Sequence, residues 1–115
     1  MWLATQHGFF SMVRKNSDRY AVRARVREDL ERLGERIGVA HPIHCRPEAD
    51  YRYRWEVDLE ELLEILVQLG ADLDYPNFMA RIEERPDQRD KLPIYQDLWT
   101  ALHTLQARTV SREGA

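Results

Sequence analysis

A single cysteine, Cys45, stands in the whole chain, so no internal disulfide can staple it. That excludes a secreted disulfide scaffold and favours a reducing, cytoplasmic setting. Glycine is scarce and scattered, at positions 8, 34, 38, 70 and 114, which leaves no glycine-rich loop to cradle a phosphate. No Gly-x-Ser-x-Gly nucleophile elbow occurs. No apolar run approaches the ~20 residues that span a bilayer. The opening Met1-Trp2-Leu3-Ala4-Thr5-Gln6-His7-Gly8 has neither a basic start nor a sustained apolar stretch, and no signal peptide is expected there. The strong basic excess of a duplex-DNA binder is missing too: the net charge is −3.

What is present is an ordinary globular composition, 43% hydrophobic and 32% charged over 115 residues, which fits one domain at 1–107 followed by a polar tail at 108–115. Charge is unevenly divided, net +3 on residues 1–57 and −6 on 58–115. Fifteen of the seventeen cations are arginine, the planar multi-donor side chain suited to carboxylate and phosphate; a GC-rich genome would give the same bias.

Periodicity divides the chain further. Gly8 to Arg14 is rich in aromatic and apolar residues and runs into Lys15-Asn16-Ser17-Asp18-Arg19, a polar cluster typical of a hairpin loop. Tyr20 to Val26 alternates, setting Tyr20, Val22, Ala24 and Val26 on one face and Ala21, Arg23 and Arg25 on the other. Val26, Leu30, Leu33 and Ile37 form a helical stripe closed by Gly38. Pro42 to Arg46 and Asp50 to Val57 read as two more strands, the second with Tyr51, Tyr53, Trp55 and Val57 opposite Arg52, Arg54 and Glu56. Asp58 with Glu61 makes a carboxylate capping box for a helix whose buried face is Leu59, Leu62, Leu63, Leu66 and Leu69. A short helix from Phe78 and a final one after Pro93 follow, the latter with a Leu98, Trp99, Leu102 and Leu105 stripe. The order ββ-α-ββ-α-α-α predicts an α+β fold, an antiparallel sheet of about four strands with helices packed on one face and its other face left to water.

That other face carries the candidate site. Arg23, Arg25, Arg52 and Arg54 would crowd together if their strands are neighbours, and crowded guanidiniums repel unless something negative answers them. Asp50 and Glu56 are candidates from within the chain, which would make a solvated, balanced face. The alternative is an external anion. Phe9 or Phe10 must point the same way, and an aromatic beside arginines suits stacked bases. Asp74-Tyr75-Pro76-Asn77-Phe78 either caps and anchors a helix or displays Tyr75 and Asn77 to a partner. Trp99 at the edge of its stripe suits an oligomer contact. His41, His44 and Cys45 lie close in sequence, but strand alternation turns His44 and Cys45 apart, so no metal and no cofactor is expected.

The MWLxTxHGFFS opening, Tyr20 to Asp29, Ala49-Asp50-Tyr51-Arg52-Tyr53, Asp74-Tyr75-Pro76-Asn77-Phe78 and Pro86-Asp87-Gln88-Arg89 together resemble a family of small bacterial proteins of about this length, over roughly residues 1–106. The resemblance implies a bacterial cytoplasmic context and carries over no functional residue. The expected function is a non-catalytic binding protein whose arginine face (Arg23, Arg25, Arg52, Arg54, with Phe9, Tyr75 and Asn77) contacts an acidic protein surface or a second copy, or else RNA or single-stranded DNA. The rival is a small enzyme on an anionic substrate, with His7, His44 or Asp74 as acid or base in a pocket beside the arginines.

Overall fold

A computed structural model describes residues 1–114. The chain forms two compact units, Met1–Tyr75 and the segment from Pro76 onward.

The first unit is a five-stranded antiparallel sheet with two helices. Its strands are β1 (Trp2–Thr5), β2 (Gly8–Arg14), β3 (Tyr20–Ala24), β4 (His44–Cys45) and β5 (Tyr53–Val57), in the spatial order β1-β2-β3-β5-β4. Helix α1 (Arg27–Ile37) follows β3, and α2 (Leu59–Ala71) follows β5. The fold is α+β, as the order of elements predicts. It has one strand more than expected, because Trp2–Thr5 folds back through the two-residue turn Gln6-His7 and pairs with β2 in the register Thr5↔Gly8 to Trp2↔Ser11.

Residues of period two dictate the core. Phe10 and Met12 of β2, Val22 and Ala24 of β3, and Trp55 and Val57 of β5 point to one face, where Leu30 and Leu33 of α1 and Leu62 and Ile65 of α2 cover them. The helix signals hold: Gly38 caps α1 in the left-handed conformation at φ 74°, and Asp58 and Glu61 form the reciprocal capping box of α2. The buried side of α2 is narrower than its leucine content suggests. Leu59 and Leu63 are exposed, while Leu62 and Ile65 are buried. A helix with leucine on several sides does not announce which of its faces meets the sheet.

Two carboxylates fasten the β1–β2 turn to the helices. Asp29, 1% exposed in the first turn of α1, accepts from the Phe9 N–H at 3.2 Å and is paired with Arg32, whose Nε donates to the His7 carbonyl at 3.0 Å. Asp72, which ends α2, takes His7 Nε2 at 2.9 Å and Arg36 Nε at 2.8 Å. Its backbone carbonyl accepts from Gln6 Nε2 at 2.9 Å. Gly8 has φ 151°, and a Cβ there would collide with the Asp29 carboxyl.

The second unit is helical: α3 (Phe78–Glu84), a 3₁₀ helix (Pro86–Lys91) and α4 (Leu92–Glu113). Asn77 caps α3 by accepting from the Ala80 N–H at 2.9 Å. The Phe78 and Tyr95 rings lie 5.2 Å apart. No break falls at position 108: α4 continues past it to Glu113, within the stretch expected to be a polar tail. That stretch has no proline and no glycine before Gly114, so nothing in the backbone stops the helix.

Two tests address this frame. Gly8→Ala should lower stability by roughly 2 kcal/mol or more, read by urea denaturation, since it adds both a collision and a strained φ. Hydrogen bonds from Arg36, then His7, hold Asp72 below the usual carboxylate range against the opposing effect of burial. A depressed folded pKa means its stabilisation is present above the unfolded value near ~4 and disappears as pH falls through the folded value. Asp72→Asn should therefore destabilise at pH 7 and flatten the acid limb of the stability profile below about pH 4. An acid limb identical to the parent's would refute the assignment.

Candidate anion-binding face

No element of the first unit covers the second face of its sheet. Cross-strand partners share a face, so the register lays out a row: Trp2 opposite Ser11, Ser11 opposite Arg23, Arg23 opposite Arg54 and Arg54 opposite His44. On the same face Ala4 and Phe9 flank this row on one side, and Val13, Ala21 and Glu56 flank it on the other. Ser11 and Ala21 are buried on this face, Ser11 beside the Arg23 guanidinium that donates to it.

The structure brings Arg23, Arg25 and Arg54 together and adds Tyr51, which the alternation had placed on the core side. Strand β5 begins only at Tyr53, and a bend at Asp50-Tyr51 turns the tyrosine ring outward. Its ring centre lies 4.6 Å from the Arg23 guanidinium carbon and 4.1 Å from that of Arg25. Arg23 donates to Ser11 Oγ at 2.6 Å, and Arg54 to the Tyr51 carbonyl at 3.4 Å. Among the described residues no carboxylate pairs with Arg23, Arg25 or Arg54. The Nε atoms of Arg23 and Arg54 and the Tyr51 hydroxyl are buried without a hydrogen-bond partner. Three unpaired donors accumulate here with no acceptor to meet them.

Glu56, the internal counter-ion that the sequence offered, is engaged elsewhere. It pairs with Lys15 and lies 3.8 Å from Arg19, both from the β2–β3 loop. The Lys15 hydrogen bond holds the Glu56 carboxyl below its usual range. Burial, followed by the nearby charges of Arg46 and Arg23, lowers the Arg54 guanidinium pKa. Lys15, His44, Arg46, Arg54 and Glu56 ring a depression of about 420 Å³ floored by Val13 and Ala21. Sequence reasoning missed Arg46 and Lys15. The two-residue strand that carries Arg46 beside Arg54 has almost no periodic signal, and Lys15 reads simply as a loop residue.

The other candidates separate. Phe9 does point outward and meets Trp2 edge-to-face, ring centres 6.0 Å apart at 65°. Trp2 is 67% exposed and belongs to this face, although the sequence reading gave it no role. Arg52 precedes β5; its side chain is exposed, and its carbonyl accepts from the Arg46 N–H at 2.8 Å. Tyr75 lines a different depression of about 310 Å³ with Leu3, His7, Leu69 and Asp72. Asn77 belongs to the second unit and spends its side chain on the α3 cap. Of the acid–base candidates, His7 is held by Asp72, and Asp74 follows it with its N–H on the Asp72 carbonyl at 2.8 Å. His44 does stand beside Arg54 in a depression that Cys45 also lines, but among the described residues no hydrogen bond orients its ring.

No protein-family model, curated protein or solved structure matches this chain. Among the described residues no helix is long and apolar enough to cross a membrane. What the face can do chemically follows from its own residues: hold an anion by charge and by planar donors.

The layered contacts give a structural expectation. Tyr51→Ala should leave the fold intact and release Arg23 and Arg25, seen as faster solvent exchange of their guanidinium Nε–H signals in NMR. Unchanged Nε signals would mean the ring does not order them.

Proposed function

We propose that the protein is a non-catalytic binding module that uses the arginine-covered sheet face to hold an anionic partner, an acidic protein segment. The observation that carries this reading is the cluster of Arg23, Arg25 and Arg54, whose donors meet no carboxylate while Glu56 is taken by Lys15. Clustered cations on a supporting sheet raise the local potential, so a partner's carboxylates replace repulsion with paired, charge-assisted hydrogen bonds. The acidic balance of residues 58–115 disfavours indiscriminate attachment to duplex DNA. The one cysteine, exposed and unpaired, supports a cytoplasmic site of action.

A second reading has its own observation. Trp2 and Phe9 extend the same face as an exposed aromatic pair, which suits stacking of unpaired bases beside a phosphate-binding arginine row.

Fluorescence anisotropy with a labelled oligoglutamate peptide and with oligouridine decides between them. The first reading expects saturable peptide binding that weakens with salt. Arg23→Gln combined with Arg54→Gln, chosen to keep the packing stems, should weaken it about tenfold or more. Glu56→Gln, by releasing Lys15 and Arg19, should tighten it. Binding of oligouridine alone, with loss on Trp2→Ala, would replace the first reading by the second. Absence of both would overturn the anion-binding function.

A further inference from the structure

Helix α4 runs for 22 residues, and among its described side chains only Tyr95 is buried. Ile94, Leu98, Trp99, Leu102 and Leu105 are all exposed, Leu102 at 65%. The sequence stripe Leu98, Trp99, Leu102 and Leu105 therefore reads correctly as helical but does not lie in a core. A helix gains most of its stability in proteins from covering such a stripe, so leaving it in water is costly.

The stripe has the spacing of a coiled-coil seam. With Tyr95 at position a, the seam continues with Leu98 (d), Leu102 (a), Leu105 (d) and Thr109 (a). Flanking positions are apolar in the first heptads, Ile94 and Ala101 at g and Trp99 at e. The face away from the seam is mostly polar, with Gln96, Asp97, Thr100, His103, Thr104 and Ser111 and only Ala107 and Val110 apolar. His103 stacks flat on Trp99 at 4.9 Å and braces the indole along the flank.

We propose that α4 is a self-association element, in which the helices of two copies pair side by side, parallel and in register, through Leu98, Leu102 and Leu105. Charge complementarity identifies the second copy as the occupant. Arg108 is a g position and Glu113 is the e position five residues later, the two sites that face each other across a parallel pair. Each helix thus supplies both halves of the contact, and the symmetric dimer contains it twice. An antiparallel pair sets g against g and e against e and would separate these charges. Trp99 of one copy meets Ile94 of the other by the same rule, which closes the seam at its apolar end. Arg112, at the next d position, ends the zipper by placing like charges together. Three leucine layers and a tryptophan flank make a short seam, so association is expected on the order of micromolar.

Sedimentation equilibrium of the full chain, from about 1 to 100 µM, tests this directly. The expected mass rises towards twice the 13.7 kDa of one chain. Leu102→Glu should weaken dimerisation by roughly a hundredfold, because it places a carboxylate in the seam on both helices. Val110→Glu, on the opposite side of the helix, should change it little. Far-ultraviolet circular dichroism, to which the 22 residues of α4 contribute, checks that each variant keeps its helices. In a Cys45→Ser background, Thr109→Cys should form an interchain disulfide under mild oxidation, since a positions meet their counterparts only in a parallel, in-register pair. A chain that stays monomeric at about 100 µM would overturn the proposal. So would a dimer that survives Leu102→Glu. A dimer that Leu102→Glu abolishes but Thr109→Cys cannot cross-link would overturn the parallel register.

Discussion

The grip of two carboxylates on the β1–β2 turn holds the first unit in its arrangement. Asp29 reaches from the first turn of α1 and Asp72 from the end of α2, and between them they engage the Phe9 N–H and the His7 ring. Arg32 and Arg36 complete the network from α1. A buried carboxylate is costly unless its oxygens are fully answered, so these groups tolerate few alternative positions of the turn. Gly8 belongs to the same constraint, because only a residue without Cβ lets the turn approach Asp29. Through this node the edge hairpin is registered on the helices, and the outward side chains of Trp2, Phe9 and Ser11 fall into line with Arg23 and Arg54.

The two faces of the sheet solve the covering problem differently. One is covered by helices α1 and α2, with Trp55 and Phe10 at its centre. On the other, the Tyr51 ring stacks on Arg23 and Arg25, and Arg23 reaches the buried Ser11. That solution protects the sheet from water without an added layer, but it concentrates like charges. The cross-strand pair Arg23 and Arg54 is the unfavourable choice for stability alone. The proposed anion binding would give that cost a use.

Much of the architecture was legible because it depends on short-range chemistry. Alternation marked Tyr20 to Val26 and Asp50 to Val57, of which Tyr20–Ala24 and Tyr53–Val57 are strand, and the Asn16-containing loop closes its hairpin with Asn16 Oδ1 accepting from Asp18 and Arg19 at 3.1 Å. Gly38, Asp58 with Glu61, and Pro93 each acted where their local geometry dictates. Strand β1 was not legible: Trp2-Leu3-Ala4-Thr5 is too short for periodicity to stand out, and its strand state comes from pairing with β2. Tyr51 was misplaced for a related reason, since alternation has no means of showing where a strand stops and a bend begins. The identity of the counter-ion was equally hidden. Glu56 is adjacent to the arginine row in sequence parity, but a loop lysine from across the sheet reaches it first.

The sequence by itself determined the fold class, the outward arginines Arg23 and Arg54, and the amphipathic helices, because each follows from periodicity and capping within a few residues. Tertiary structure alone decided which leucines are buried, which cations share a carboxylate and which aromatic joins the arginines. Those outcomes depend on contacts between segments far apart in the chain, where the strand register and the reach of side chains choose among partners that look equivalent in sequence.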